Sequence, residues 1–328
     1  MIALSFKFKT MILSCVMVTG LFAGRALPAA RAQGETAPRI HVLCSFFPVY
    51  QFTQNVAAGR EGVRVELMLP AAMGCPHDTL LTPQDMEKVG RAQVFVANGL
   101  GLEEFLGAPL THANPKLTII DASRGITDLI VHRAPTEPAS AGPAAPEAEA
   151  NTHIGPNPHL FASPAMAARM VRNIAEGLAK VDPEGAAIYK KNATAYEAKL
   201  RRLSADFDAE ARRLRTRKIV TEHSVFDYLA RQIGLEVVAV IEENPGQEPS
   251  AAQMLDLVQT IKQSGAAAVF IEPQYPAAVA RTIAREVGLP VAVLDPVASG
   301  PERAPLTYYE SVMRKNIETL GQTLGEKK

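Results

Sequence analysis

The sequence predicts an α/β protein of two lobes, each a small parallel sheet flanked by helices, joined by one long rigid helix. Three observations predict it. Short apolar runs alternate with helical stretches in two separate sets, and that alternation implies parallel strands with helical crossovers. A single helical pattern of roughly thirty residues lies between the sets. Finally, 328 residues with 47% hydrophobic and 21% charged side chains are too many for one ordinary core.

The chain opens with Lys7 and Lys9, an apolar run from Met11 to Phe22, and Ala30-Arg31-Ala32, which satisfies the small-x-small rule for signal cleavage. Residues 1–32 are therefore read as a signal peptide and the mature protein as periplasmic or otherwise extracytoplasmic. The run is shorter than the roughly 20 apolar residues of a membrane-spanning helix. The alternative, a lipid anchor at Cys15 in Ile12-Leu13-Ser14-Cys15, leaves most of the apolar run stranded after the attachment point. Cleavage after Ala32 removes Lys7, Lys9, Arg25 and Arg31 and no acid from a chain with 34 basic and 34 acidic residues, so the mature protein carries four more acids than bases. That mild acidity excludes a nucleic-acid partner, which needs a clustered basic face.

The first lobe spans residues 38–182. Its strands are the apolar runs Ile40 to Cys44, Val63 to Met68, Val94 to Ala97 and Thr118 to Asp121, with helical stretches such as Pro83 to Arg91 between them. Residues 133–152 shift to Pro, Ala and Glu without periodicity and read as a flexible surface loop. Ser163-Pro164 opens a helix over Ala165 to Val181. The connecting helix then covers 183–214, where Ile188, Tyr196, Leu200, Leu203, Phe207 and Leu214 recur at helical spacing. At 1.5 Å per residue this is a rod of about 45 Å.

The second lobe, 215–328, repeats the alternation, with strands at Ile219 to Thr221, Val237 to Ile241, Ala268 to Ile271 and Val291 to Leu294. Ser250 and Gln253 form a capping box for a helix beginning near Ala251. No internal sequence repeat relates the lobes.

In parallel sheets, ligand groups sit just past the carboxyl ends of strands. His77 follows the second strand, His159 precedes a helix in Asn157-Pro158-His159, His223 follows the fifth strand, and Asp295 ends the last. Three imidazoles and one carboxylate, two groups from each lobe, suffice for the closed four-coordinate shell that zinc accepts. His41, His112 and His132 lie elsewhere and are set aside. His153, six residues before His159, is at most an auxiliary group. Glu222 and Glu272 are candidates to orient an imidazole N–H. After signal removal two cysteines remain, Cys44 and Cys75, and an exported protein meets oxidising conditions, so one disulfide between them is expected. A reduced Cys75 would instead compete as a soft ligand.

The motifs Gly74-Cys75-Pro76-His77-Asp78, Thr82-Pro83-x-Asp85-Met86, Asn98-Gly99-Leu100-Gly101-Leu102-Glu103, Pro158-His159-x-x-x-Ser163-Pro164, Val220-Thr221-x-His223-x-x-Phe226-x-Tyr228 and Glu248-Pro249-Ser250 follow one another in order. This series resembles the zinc and manganese solute-binding proteins of ABC transporters, from about Ile40 to the closing helix, with the 133–152 loop as the exception. The resemblance implies one ion held between two lobes and delivered to a membrane permease and its ATPase, by a monomer without catalytic activity. It carries the ligands over to His77, His159, His223 and Asp295. Two features depart from the family: the loop before the second ligand is not His-rich, and Cys75 stands where the family does not normally have cysteine. Three nitrogens favour Zn2+ over Mn2+, which prefers an oxygen-rich shell. The rivals are a zinc hydrolase using Glu222 or Glu272 as base, against which no His-Glu-x-x-His motif is present, and a surface adhesin anchored at Cys15.

Overall fold

A computed structural model describes residues 39–76, 79–132, 155–242 and 248–326. The expected signal peptide with Cys15, the 133–152 loop, His77 and His153 lie outside the described residues.

The first sheet is built from β1 (Ile40–Cys44), β2 (Val63–Leu67), β3 (Val94–Ala97) and β4 (Thr118–Asp121), all parallel, in the order β2-β1-β3-β4. The two central strands are covered on both faces, which is why they read as unbroken apolar runs rather than alternating ones. The crossovers carry α1 (Phe47–Ala57), α2 (Pro83–Arg91) and α3 (Gly107–Ala113). The first turn of α2 is closed by a reciprocal capping box between Thr82 and Asp85. A two-residue antiparallel pair, β5 (Val131–His132) with β6 (Gly155–Pro156), closes the segment beyond β4.

Helix α4 (Pro164–Val181) starts from a Ser163 cap and leads through a 3-10 turn at Pro183–Gly185 into α5 (Ala186–Ala211). The expected connecting helix is thus tightened in its first turn. The α-helical part is 26 residues, about 39 Å at the standard rise. Asp182 fixes the junction: it accepts from Arg60 Nε and Nη2 at 2.7 and 2.9 Å and from the Tyr189 hydroxyl at 2.6 Å. The Arg60 guanidinium holds the Asp182 carboxyl down at about 2.

The second sheet contains β7 (Lys218–Thr221), β8 (Glu236–Val240), β9 (Val269–Ile271) and β10 (Val291–Val293), again parallel, in the order β10-β9-β7-β8. Counted along the chain, both sheets have the order second-first-third-fourth. The crossovers are α6 (Asp227–Ile233), α7 (Ala251–Ser264) and α8 (Ala278–Val287). The capping box expected at Ser250 and Gln253 is present. The last helix, α9 (Tyr308–Leu324), follows the second sheet in sequence but packs against α1 and α5. Its Tyr308 and Tyr309 meet Phe47 and Phe52 edge-on at 5.6 and 5.2 Å.

One large core runs from the first sheet through α1, α4, α5 and α9 and takes in Phe226, Tyr228, Phe270 and Leu294 from the second half of the chain. A smaller core beneath α7 and α8 contains Val220, Ile241, Ile261, Val269, Ile271 and Ile283. Among the described residues no helix is long and apolar enough to cross a membrane.

The expected Cys44–Cys75 disulfide is corrected here: both thiols are free and buried. Cys44 ends β1 and faces α1, where its thiol meets Thr53 and burial pushes it up to about 12. Cys75 instead meets the Tyr275 hydroxyl, contributed by the second lobe. The two side chains serve different environments.

Candidate metal site

His223 stands one residue beyond Glu222, which extends β7: the Glu222 N–H donates to Phe270 O at 3.0 Å and its carbonyl accepts from Glu242 N at 2.7 Å. Glu272 follows β9, the neighbour of β7. At this point in the strand order the crossovers leave to opposite sides and open a crevice. Across it His223 Nδ1 lies 2.5 Å from Glu272 Oε1. Gln274 Nε2 donates to the other Glu272 oxygen at 2.6 Å. Glu222 turns away from the imidazole and accepts the Glu272 N–H at 2.7 Å. Burial pushes the Glu222 carboxyl up to about 7, and the charges of Glu272 and Glu242 add to the effect.

His159 is held by an Asn two residues earlier. Asn157 Oδ1 accepts the His159 N–H at 2.9 Å and lies 2.8 Å from the ring Nδ1. Asn157 Nδ2 donates to Ser224 O at 2.9 Å and to Asp227 Oδ2 at 3.1 Å, and its carbonyl accepts from the Tyr228 hydroxyl at 2.8 Å. The peptide between them is steadied by Asn98, whose Nδ2 donates to Pro158 O at 2.9 Å. Asn98 is in turn clamped by Glu103, whose carboxylate accepts the Asn98 and Gly99 N–H groups at 2.6 and 3.1 Å. Gly99 has φ +86, and a Cβ there would lie 2.1 Å from Asp121 Oδ1, so no other residue fits this turn.

Both Nδ1 atoms face acceptors, so in the neutral rings the lone pairs fall on Nε2, and these atoms converge: His159 Nε2 and His223 Nε2 are 3.4 Å apart. Two nitrogens bound to one tetrahedral zinc at 2.0–2.1 Å are separated by about 3.4 Å. Both rings are almost wholly buried, at 2% and 1% exposure. Cys75 completes the only group of three or more metal-binding side chains among the described residues, its sulfur and the two ring nitrogens lying within 4.8 Å of one another.

Asp295 lies outside this group. Its Oδ1 accepts the Val297 N–H at 2.8 Å, while its own N–H donates to Asn316 Oδ1 and its carbonyl accepts from Asn316 Nδ2. Burial pushes its carboxyl up to about 6, helped by the charge of Glu272. Val297 adopts φ +63, a costly conformation for a β-branched residue, at the turn that fixes this carboxyl. Of the set-aside histidines, His41 is 2.7 Å from Glu66, and His112 and His132 belong to α3 and β5.

The sequence reading missed Asn157 and Tyr275. An Asn two residues before a His is the only signal for the first, through its habit of bonding the backbone two residues on. Tyr275 donates nothing to such a reading: its hydroxyl accepts the Cys75 N–H at 3.0 Å, and its ring meets His223 edge-on at 6.0 Å.

Residues 42–323 match the family described as zinc-uptake complex component A, periplasmic. The chain belongs to this family. It is 29% identical over 289 residues to the high-affinity zinc uptake system protein ZnuA of Bacillus subtilis, covering 87% of this chain and 88% of that one. It is 30% identical over 325 residues to the zinc-binding protein AdcA of Streptococcus pyogenes, of which it spans 61%. The fold is shared with the solute-binding protein FpvC of Pseudomonas aeruginosa in complex with Mn2+, at a TM-score of 0.74, 28% identity, and coverage of 87% and 98%. The two-lobed α/β architecture of this zinc-uptake family is therefore the architecture in hand.

Proposed function

We propose that the chain binds one divalent transition metal, zinc first, in the cleft between its lobes and delivers it to an ABC permease driven by its ATPase. The observation that carries this reading is the pair of buried imidazoles from different lobes, Nε2 to Nε2 at 3.4 Å, each with Nδ1 on an acceptor. Both rings are set in the orientation and tautomer of metal ligands before any ion arrives. Around them His77 and Asp295 are candidates for the remaining positions, Asp295 by approaching as the cleft tightens. Glu272 orients His223, and Glu222 and His153 are auxiliary. The ion is cargo, and the chain acts as a monomer with no chemistry of its own. Family membership supports an extracytoplasmic site of action, reached by the leader in residues 1–32.

Manganese is the second reading, favoured by the manganese complex of the FpvC neighbour. Nitrogen ligands weigh against it.

The test is thermal unfolding of the metal-free protein with added zinc, manganese and iron. Zinc should raise Tm the most, and His159→Ala and His223→Ala should abolish the rise. No rise with zinc, or tighter binding of manganese in direct competition, overturns the reading.

A further inference from the structure

We infer that Cys75 binds the cargo directly through Sγ, making this a sulfur-containing site selective for thiophilic ions such as zinc over manganese. The inference rests on the proposed metal-binding function and specifies the class of ion it accepts.

Three observations on the structure lead to it. Among the described residues, Cys75, His159 and His223 are the side chains whose ligand atoms lie within 4.8 Å of one another. A zinc ion at 2.0–2.1 Å from nitrogen and 2.3 Å from sulfur sets S···N separations of about 3.6 Å, so small side-chain adjustments suffice. Next, the alternative use of Cys75 is absent, because Cys44 is turned into the first core toward Thr53 and both thiols are free. Third, the loop is placed with care: Tyr275, from the second lobe, accepts the Cys75 N–H at 3.0 Å, and the Gly300 N–H donates to Ala71 O at 2.9 Å. Residue 74 must be glycine here, with φ +89 and a Cβ position 3.0 Å from the Tyr275 hydroxyl. These contacts hold Cys75 buried at the crevice rather than displayed on the surface.

The chemistry then follows. The Cys75 side chain is buried, and a thiol ligates a metal as its thiolate, so its proton has to leave. A bound cation displaces that proton to solvent and takes the thiolate as ligand. Thiolate and imidazole suit zinc, whereas manganese prefers carboxylate and water.

Cobalt(II) reads the site directly. The metal-free mature protein, titrated with cobalt, should develop visible ligand-field bands that report occupancy and a near-ultraviolet sulfur-to-cobalt charge-transfer band. Cys44→Ser should keep both. Cys75→Ser should keep the visible bands, lose the charge-transfer band, and lower the zinc-over-manganese preference by more than about tenfold. X-ray absorption of the zinc-loaded native protein, which needs no variant, should show one sulfur at about 2.3 Å. The inference is overturned by full visible bands without charge transfer in the native protein, by a charge-transfer band that survives Cys75→Ser, or by a zinc shell of nitrogen and oxygen alone. In those outcomes the metal-binding reading stands. Absence of any cobalt or zinc binding overturns both.

Discussion

The two lobes share one strand order and use it differently. In each, the crevice lies between the first and third strands of the sheet. In the first lobe that crevice is filled by Asn98 and Glu103, with the Glu103 carboxyl, pushed up to about 7 by burial, spent on two backbone N–H groups. The second lobe places Glu222, His223 and Glu272 at the equivalent points, with one imidazole nitrogen aimed outward. The partner lobe brings Cys75, beyond edge strand β2, and His159, on the way into α4, to the same place. The lesson is that topology provides a crevice, while the residues at the strand ends decide whether it becomes a site or a brace. Packing differs as well. The central strands β1 and β3 are almost wholly covered, whereas β8 and β10 are half-buried and only Ile261 of α7 is buried.

The sharpest break of the comparison is removal of either imidazole. At a thousandfold excess over Kd, zinc should stabilise the native protein by about 4 kcal/mol, and this should vanish in both His159→Ala and His223→Ala, as read by Tm. Should one variant retain the shift, the site belongs to a single lobe. The packing contrast is tested by urea unfolding with matched substitutions: Ile174→Val in the large core should cost about 1.5 kcal/mol, and Ile261→Val in the small core about 0.5 kcal/mol. Equal costs would remove the asymmetry. A smaller effect separates the two orienting groups. Glu272→Ala should weaken zinc by about 10–100-fold, and Asn157→Ala by less, because a carboxylate acceptor makes the stronger bond; isothermal titration measures both. The smallest effect concerns acid stability. Asp182 is held near 2 in the folded chain, below the roughly 3.9 of an unfolded Asp, so its contribution is present above about pH 4 and is lost as pH falls through 2. Asp182→Asn should lower Tm at pH 7 and flatten the Tm–pH curve in that acid window.

Much of the fold was legible because its signals are local. Strands β3 and β4 and helix α2 begin and end where apolar runs, Pro83 and its cap predict. In the second sheet strand ends move by a residue, as at Lys218 and Glu236, since the last ladder bond is set by the neighbouring strand and not by composition. Strand-end position likewise led to His223 and Glu272, and the start of a helix to His159. It could not tell that Asp295 is held to Val297 and Asn316, outside the group that Cys75 joins, because that depends on a turn with a left-handed valine. The disulfide failed for a related reason: an even count of cysteines in an exported chain says nothing about which way each side chain points. The matching strand order of the lobes was invisible too, since topology is conserved by packing geometry and leaves no trace in residue identity.

Asn157 gives the cleft a handedness. It belongs to the segment that carries His159, yet its amide is tied to Ser224 and Asp227 and its carbonyl to Tyr228. The two imidazoles are therefore tied together as one jaw, and the opposing jaw is the loop at Cys75, whose described residues are joined to the other half of the chain through Tyr275 and the Gly300–Ala71 bond. Amide exchange should be faster in residues 70–76 than in 157–163 in the metal-free protein.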